Sequence, residues 1–280
     1  MFSMEWSVSQ SHQYNECPRS WYLQRRSAEG DRLRVRPVPL KSLIGIAVHK
    51  GIAEQIGLWR DGKEVSALGA EEIGLTYISR IWAQKESTIT EFVNGVVVEN
   101  NTRSRMEDAM HQRIATFFNM FWPHLSKYQY VTHETLDSFL IQGVKMWVQV
   151  DLATRDSMGG LLVSDWKTGQ GHHNEADSHQ MVVYALWANK KFEPDPDRIH
   201  TQVVNLRTGQ VDRRTMNVES LAETEQRLDE EIARVSEAVR GGNFVAIPSL
   251  EKCISCGYLS LCNEGSSTVQ GSRSQSVNID

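Results

Sequence analysis

The sequence predicts a mixed α/β fold, with a helical N-terminal region ahead of a mixed central sheet flanked by helices. Three observations carry this expectation. Apolar residues recur every three or four positions up to about residue 125, the period falls to two from Tyr128 onward, and helical spacing returns after Lys167. With 280 residues, 40% hydrophobic and 23% charged, the chain can bury one good core. It reads as a single domain over 1–264, with a helical insertion at about 60–125 and a cysteine-bearing segment at 243–264.

Taken in order, Ser9 to Arg26 has helical spacing, and Pro18 either interrupts the helix or starts a new turn. Ile44, Val48, Ile52 and Ile56 form an apolar stripe on a helix that stops before Asp61-Gly62. Leu68 to Lys85 predicts a second helix. Met106, Met110, Ile114, Phe117 and Phe121 mark a third, with Pro123 just beyond its end, and that stripe reads as core packing.

Strands are expected over Tyr128 to Leu140, Val144 to Thr154 and Leu161 to Lys167, with a turn at Ser157 to Gly160. A helix follows from Glu175 to Lys190. His200 to Leu206 and Val211 to Val218 predict a hairpin around Thr208-Gly209, and Val218 to Arg240 a long polar helix. Residues 265–280, rich in Ser, Gly and Gln, predict a disordered tail.

The formal net charge of -5 excludes a globally basic nucleic-acid binder, so any such site must be a local patch. One candidate runs from Arg19 to Lys50, where Arg19, Arg25, Arg26, Arg32, Arg34, Arg36, Lys41 and Lys50 face only Glu29 and Asp31. A solvated charged loop explains the same run. The start of the chain lacks the pattern of a signal peptide, and no apolar run is long enough to span a bilayer, so a cytoplasmic protein without membrane association is expected. In a reducing compartment the four cysteines then read as metal or cluster ligands rather than disulfides.

The chemistry concentrates on the strand Leu161 to Lys167. Its two-residue period places Asp165 and Lys167 side by side on one face, and Asp151 on the preceding strand can meet Asp165 across the pair. Two adjacent carboxylates repel unless a cation lies between them, and hard oxygen ligands suit Mg²⁺ or Mn²⁺. Lys167 could orient an attacking water or offset negative charge on a phosphate. A strand-end Asp beside a surface Lys fits these residues equally. Gln180 and Tyr184, four apart, share a helix face that could reach the same site or be ordinary helix surface. His49 alone reads as a structural histidine, and Glu134, on the strand before Asp151, as a strand-surface Glu in preference to an additional acidic group near the site.

Cys253, Cys256 and Cys262 form C-x2-C-x5-C, and Cys17 is the remaining cysteine, so one four-thiolate site accounts for all four. Zinc and an iron–sulfur cluster both fit that set.

Several segments together resemble the RecB/AddB-type nucleases of the PD-(D/E)XK superfamily, in particular the iron–sulfur branch that includes the CRISPR adaptation exonucleases. In order they are Ser9 to Arg19 ending in Cys-Pro-Arg, Ala47-Val48-His49, Val150-Asp151, Asp165-Trp166-Lys167-Thr168-Gly169, Gln180 with Tyr184, and the C-terminal cysteines. The resemblance implies a restriction-endonuclease-like sheet and a metal-dependent DNA exonuclease. His49, Asp151, Asp165 and the Trp166 carbonyl would hold Mg²⁺ or Mn²⁺, Lys167 would serve the attacking water, and Gln180 and Tyr184 would steady Lys167 or a phosphate. It further implies a structural [4Fe-4S] cluster on Cys17, Cys253, Cys256 and Cys262. Its expected partners are single-stranded DNA or DNA with free ends, and proteins of a DNA-processing complex. The rival reading is a non-catalytic DNA-end-binding adaptor subunit in repair, recombination or CRISPR adaptation. Two features depart from the family: Val148 stands where many members have Gly, and the interval from His49 to Asp151 is long.

Overall fold

The computed structural model describes residues 5–32, 38–85, 89–90, 102–169, 178–192, 194–254 and 256–275. The chain divides into two compact units, Met1–Pro37 with Asp229–Asp280, and Val38–Leu228.

The first unit opens with β1 (Glu5–Ser7), α1 (Val8–Glu16), α2 (Pro18–Arg25) and α3 (Ala28–Arg32). The predicted Ser9–Arg26 helix is thus two helices, broken where Cys17 takes an extended conformation (φ -164°, ψ 101°) between them. The ring of Pro18 disfavours helical backbone at the residue before it, while Pro18 itself suits the first helical turn. Cys17 is thereby held outside both helices.

The second unit begins with β2 (Val38–Pro39), α4 (Leu40–Arg60), α5 (Ala67–Lys85) and β3 (Ile89–Thr90), which pairs in parallel with β2. The α4 helix stops at Gly62, whose φ of +70° closes a Schellman turn in which the Gly62 N–H donates to Trp59 and the Lys63 N–H to Leu58. Next come α6 (Thr102–Thr116), a π-helical turn (Phe117–Phe121) and α7 (Trp122–Leu125). Pro123 sits in the first turn of α7 rather than past a helix end. At Gly51 a Cβ would lie 2.3 Å from the Ala70 carbonyl oxygen, so glycine lets α4 and α5 approach closely.

The strands are β4 (Gln129–Thr132), β5 (Leu136–Ile141), β6 (Val144–Gln149), β7 (Leu152–Arg155) and β8 (Leu161–Lys167), then α8 (His179–Phe192), β9 (Ile199–Asn205) and β10 (Val211–Thr215). Two expected strands are corrected here. Tyr128–Leu140 breaks at Glu134, whose φ of +43° is left-handed, and Val144–Thr154 breaks at Val150-Asp151. Each break hands the chain from one partner to another. β5 pairs antiparallel with β6, whereas β4 and β7 join a five-stranded mixed sheet of order β10-β9-β8-β7-β4.

In that sheet β8 and β9 are parallel and the other pairs antiparallel, so α8 is the crossover between two central strands. Leu162 and Trp166 of β8 pack with Leu152, Val204 and Leu206 into a core with α4, α5 and α6. The opposite face of β8 carries Asp165 and Lys167 toward α8, whose Met181 to Ala188 are all buried. Cover on both faces explains why the first six residues of β8 are all buried.

α9 (Val218–Gly241) belongs in part to each unit and leads to α10 (Leu250–Ile254), a 3₁₀ turn at Leu259–Leu261 and α11 (Asn263–Gln275). In the first unit Glu231 is buried and accepts from Trp6 Nε1 (2.6 Å), Ser11 Oγ (2.9 Å) and Asn15 Nδ2 (2.9 Å). Three donors thus satisfy the buried carboxyl group. α11 takes in 265–275 of the tail expected to be disordered, and 276–280 lie outside the described residues. Its composition is polar, but Glu264 lies in its first turn, where the helix dipole favours an acid, and Val269 is buried.

Candidate active site

The C-terminal end of β8 projects Asp165 and Lys167 from one face. Asp165 is only 3% exposed; this burial, together with the nearby Asp151 charge, pushes its carboxyl up to about 6 against the opposing pull of Lys167. Lys167 Nζ lies 2.8 Å from Asp165 Oδ2 and donates to Gln180 Oε1 at 2.9 Å. Gln180 Nε2 in turn donates to Asp165 Oδ1 (3.0 Å) and to the Tyr184 hydroxyl (2.9 Å), which donates to the Gln149 carbonyl at 2.8 Å. An ammonium only donates and a carboxylate only accepts, so a single amide oriented this way satisfies both. Burial raises the Tyr184 pKa and keeps its hydroxyl protonated as a donor.

Asp151, between β6 and β7, points one oxygen at the chain and one at a histidine. Its Oδ2 accepts the Trp166 N–H at 2.6 Å, and its Oδ1 lies 3.2 Å from His49 Nδ1. His49 Nε2 meets the Trp166 carbonyl at 3.0 Å, and Nδ1 is 3.5 Å from Glu134 Oε1. Burial alone would lower the His49 pKa, but Asp151 and Glu134 outweigh it and hold the imidazole well above its ordinary value. The end of β8 is braced from the other side, where Arg113 Nε of α6 donates to the Thr168 carbonyl at 2.8 Å.

His49, Asp151, Asp165, Trp166, Lys167, Gln180 and Tyr184 are thus brought together, although they come from α4, the link before β7, β8 and α8. Of these, His49, Asp151 and Tyr184 line an open groove of about 1150 Å³ along α4 and α5. The sequence reading underrated Glu134. Its left-handed backbone, with its N–H donating to the Val150 carbonyl (2.8 Å), turns the carboxylate inward, where Gln149 Nε2 also donates to it at 2.6 Å. An acidic residue just before a strand gives no sign of that conformation.

The other predicted constellation lies in the first unit. Cys17, Cys253, Cys256 and Cys262 all line one small cavity of about 30 Å³, together with Arg19 and Tyr258, and all four are free thiols. Cys253 Sγ and Cys262 Sγ both flank Gly265, where a Cβ would lie 3.3 and 3.5 Å from them. The Gly265 N–H donates to Cys262 Sγ at 3.4 Å. Burial, with Glu264 and Cys17 nearby, nonetheless pushes the Cys262 thiol up. The basic run from Arg19 to Lys50 is divided: Arg19, Arg25 and Arg26 belong to the first unit and Lys50 to the second, while 33–37 lie outside the described residues.

The family model of the PD-(D/E)XK nuclease superfamily matches residues 5–263. The chain belongs to that superfamily. A candidate exonuclease from Eubacterium rectale has a similar structure, with a TM-score of 0.51 at 11% identity over 94% of this chain and 87% of that one. Looser matches are SSO0001 (TM-score 0.32, 11% identity, 66% of this chain and 80% of that one) and VC1899 from Vibrio cholerae (0.23, 10%, 83% and 57%). Among curated proteins none matches significantly. Superfamily membership makes divalent metal the expected cofactor, and the donor set can be tested for it. Ligand atoms of His49, Glu134 and Asp151 lie within 4.8 Å of one another. Asp165 Oδ2 is buried with no well-directed hydrogen bond beyond its ion pair with Lys167. The His49, Glu134 and Asp151 trio, one nitrogen and two carboxylates, suits a hard divalent cation, with Asp165 outside that trio on the adjoining strand. No helix among the described residues is long and apolar enough to cross a membrane.

Proposed function

We propose that this protein is a Mg²⁺- or Mn²⁺-dependent deoxyribonuclease that works as an exonuclease, hydrolysing phosphodiesters at DNA ends. The observation that carries the reading is the convergence of Asp151, Asp165 and Lys167 with His49 and the Trp166 carbonyl beside an open groove, in a chain of a nuclease superfamily. His49, Asp151, Asp165 and the Trp166 carbonyl would hold the cation, with Glu134 adding a further carboxylate. Such a cation supplies polarisation of a phosphoryl oxygen and lowers the pKa of water. The protein's own contribution is positional. Gln180 and Asp165 fix the Lys167 ammonium, whose side chain is 37% exposed, so that it can meet water and the phosphate oxygens that gain charge during attack. Tyr184, anchored on the Gln149 carbonyl, fixes Gln180.

The exonuclease mode and a [4Fe-4S] cluster on Cys17, Cys253, Cys256 and Cys262 follow the resemblance to the RecB/AddB-type iron–sulfur branch. That all four cysteines line one cavity supports a shared ligand there. Arg19 on the cavity wall offers a cation to an anionic cluster. Its role would be structural, tying residue 17 to the far end of the chain.

The test uses anaerobically purified full-length protein, Mn²⁺, and end-labelled linear or covalently closed circular single-stranded DNA. Progressive shortening of linear strands with intact circles is expected. Cutting of circles would overturn the exonuclease mode. No cutting of either by cluster-loaded protein would favour the DNA-end-binding adaptor instead.

A further inference from the structure

Away from the carboxylates, the groove is walled by two helical stripes, and their composition is not that of a metal site. On α4 the residues facing it step from Ile46 to His49 and Lys50, and on α5 from Ile73 to Tyr77 and Arg80. Ile46 is 41% exposed, high for an isoleucine on a helix whose other large apolar residues are mostly buried. Tyr77 is half-buried. The Lys50 ammonium lies 5.4 Å from the centre of its ring and the Arg80 guanidinium 5.5 Å, both within cation–π range and both on exposed, flexible side chains. An aromatic face edged by aliphatic groups and flanked by two mobile cations is the combination that receives an unpaired base with its neighbouring phosphates. Lys50 adjoins His49 in sequence, so the platform is continuous with the proposed site.

We infer that Tyr77 is a stacking platform for a base of single-stranded DNA beside the scissile phosphate, with Lys50 and Arg80 neutralising the flanking phosphates. This rests on the nuclease reading and deepens it by naming the substrate form. A base inside a duplex has both faces covered by its neighbours, so away from strand ends only an unpaired base can use the platform. As a base takes the ring face, the displaced cation is left beside its phosphate. Tyr77 is here a binding residue, not a catalytic one.

The test measures binding separately from cleavage. Fluorescein-labelled dT oligonucleotides, and the same strands with one abasic position moved along the chain, are titrated by anisotropy with the full-length protein in Ca²⁺, and the strands are checked for integrity. Tyr77→Ala should bind single strands about 5- to 150-fold more weakly, matching the roughly 1–3 kcal/mol of one base–aromatic stack. Tyr77→Phe should bind like wild type. An abasic position at the platform should weaken wild-type binding by the same factor and add nothing to Tyr77→Ala. Lys50→Ala and Arg80→Ala should each lower the slope of log K against log salt by about 0.7. Equal wild-type affinity for intact and abasic strands at every position would overturn the proposal, even if Tyr77→Ala misfolds. So would an equal loss for single-stranded and blunt duplex DNA in Tyr77→Ala. Binding that follows the pattern without any cleavage in Mn²⁺ would refute the nuclease reading and leave the platform standing.

Discussion

Gln180 is the hinge of the candidate site, because one amide satisfies a donor-only cation and an acceptor-only anion at once. Gln180→Leu keeps the volume and removes both of these bonds, together with the one to the Tyr184 hydroxyl. The bond to Lys167, on a side chain 37% exposed, contributes well under about 1 kcal/mol to stability after solvent screening. The bond to Asp165 Oδ1 is different, because Asp165 is buried and a hydrogen bond to a buried charge contributes about 1.5–3 kcal/mol. The carboxyl's folded pKa of about 6 lies above its ordinary 3.8, so in the metal-free folded protein it is ionised only above about pH 6. The loss in urea unfolding should therefore be about 2–3 kcal/mol at pH 8 and about 1 kcal/mol at pH 5, where a neutral acid loses a weaker bond. With Mn²⁺ present, the untethered Lys167 should reduce kcat about 100-fold with a smaller change in KM. Gln180→Glu cannot donate to Asp165 and should destabilise more at pH 8. Equal losses at the two pH values, or an unchanged kcat in Gln180→Leu, would refute this account of the amide.

Metal binding should release protons, since His49 is held protonated well above its ordinary pKa and Asp165 titrates near 6. Mn²⁺ affinity should thus rise with pH. Calorimetry in buffers of different ionisation enthalpy should find more protons released per ion at pH 5.5, where both groups contribute, than at pH 7.5. Glu134→Gln preserves an acceptor for Gln149 but removes a carboxylate from the cluster, and should weaken Mn²⁺ binding about 10-fold by calorimetry, with little change in unfolding. Cys256→Ser should lose brown colour, labile sulfide and resistance to urea together in anaerobic preparations, whereas full iron content with unchanged unfolding would contradict a structural cluster.

Much of the site was legible because its geometry is local. The period of β8 puts Asp165 and Lys167 on one face whatever surrounds them, and a four-residue spacing puts Gln180 and Tyr184 on one helix face. The α4 stripe and the β9–β10 hairpin were equally local. What stayed hidden depends on partners distant in sequence. Tyr128–Leu140 and Val144–Thr154 each read as one strand, so nothing in the pattern marks where the chain changes hydrogen-bonding partner. Both changes, at Glu134 and at Val150-Asp151, deliver carboxylates to the site. The α11 helix was missed because composition averages over residues such as Val269 that are buried individually. The basic run looked continuous because sequence proximity conceals a boundary between units.

The central claim is that Asp165 and Lys167 are paired for metal-dependent hydrolysis and not for stability. It is tested most directly by measuring Mn²⁺-dependent cleavage of linear single-stranded DNA by wild type and Lys167→Ala, alongside Mn²⁺ affinity and urea unfolding. The account predicts that Lys167→Ala loses cleavage by at least about 100-fold while metal affinity and unfolding stay near wild type. Wild-type cleavage by Lys167→Ala, or loss of the fold in its place, would contradict it.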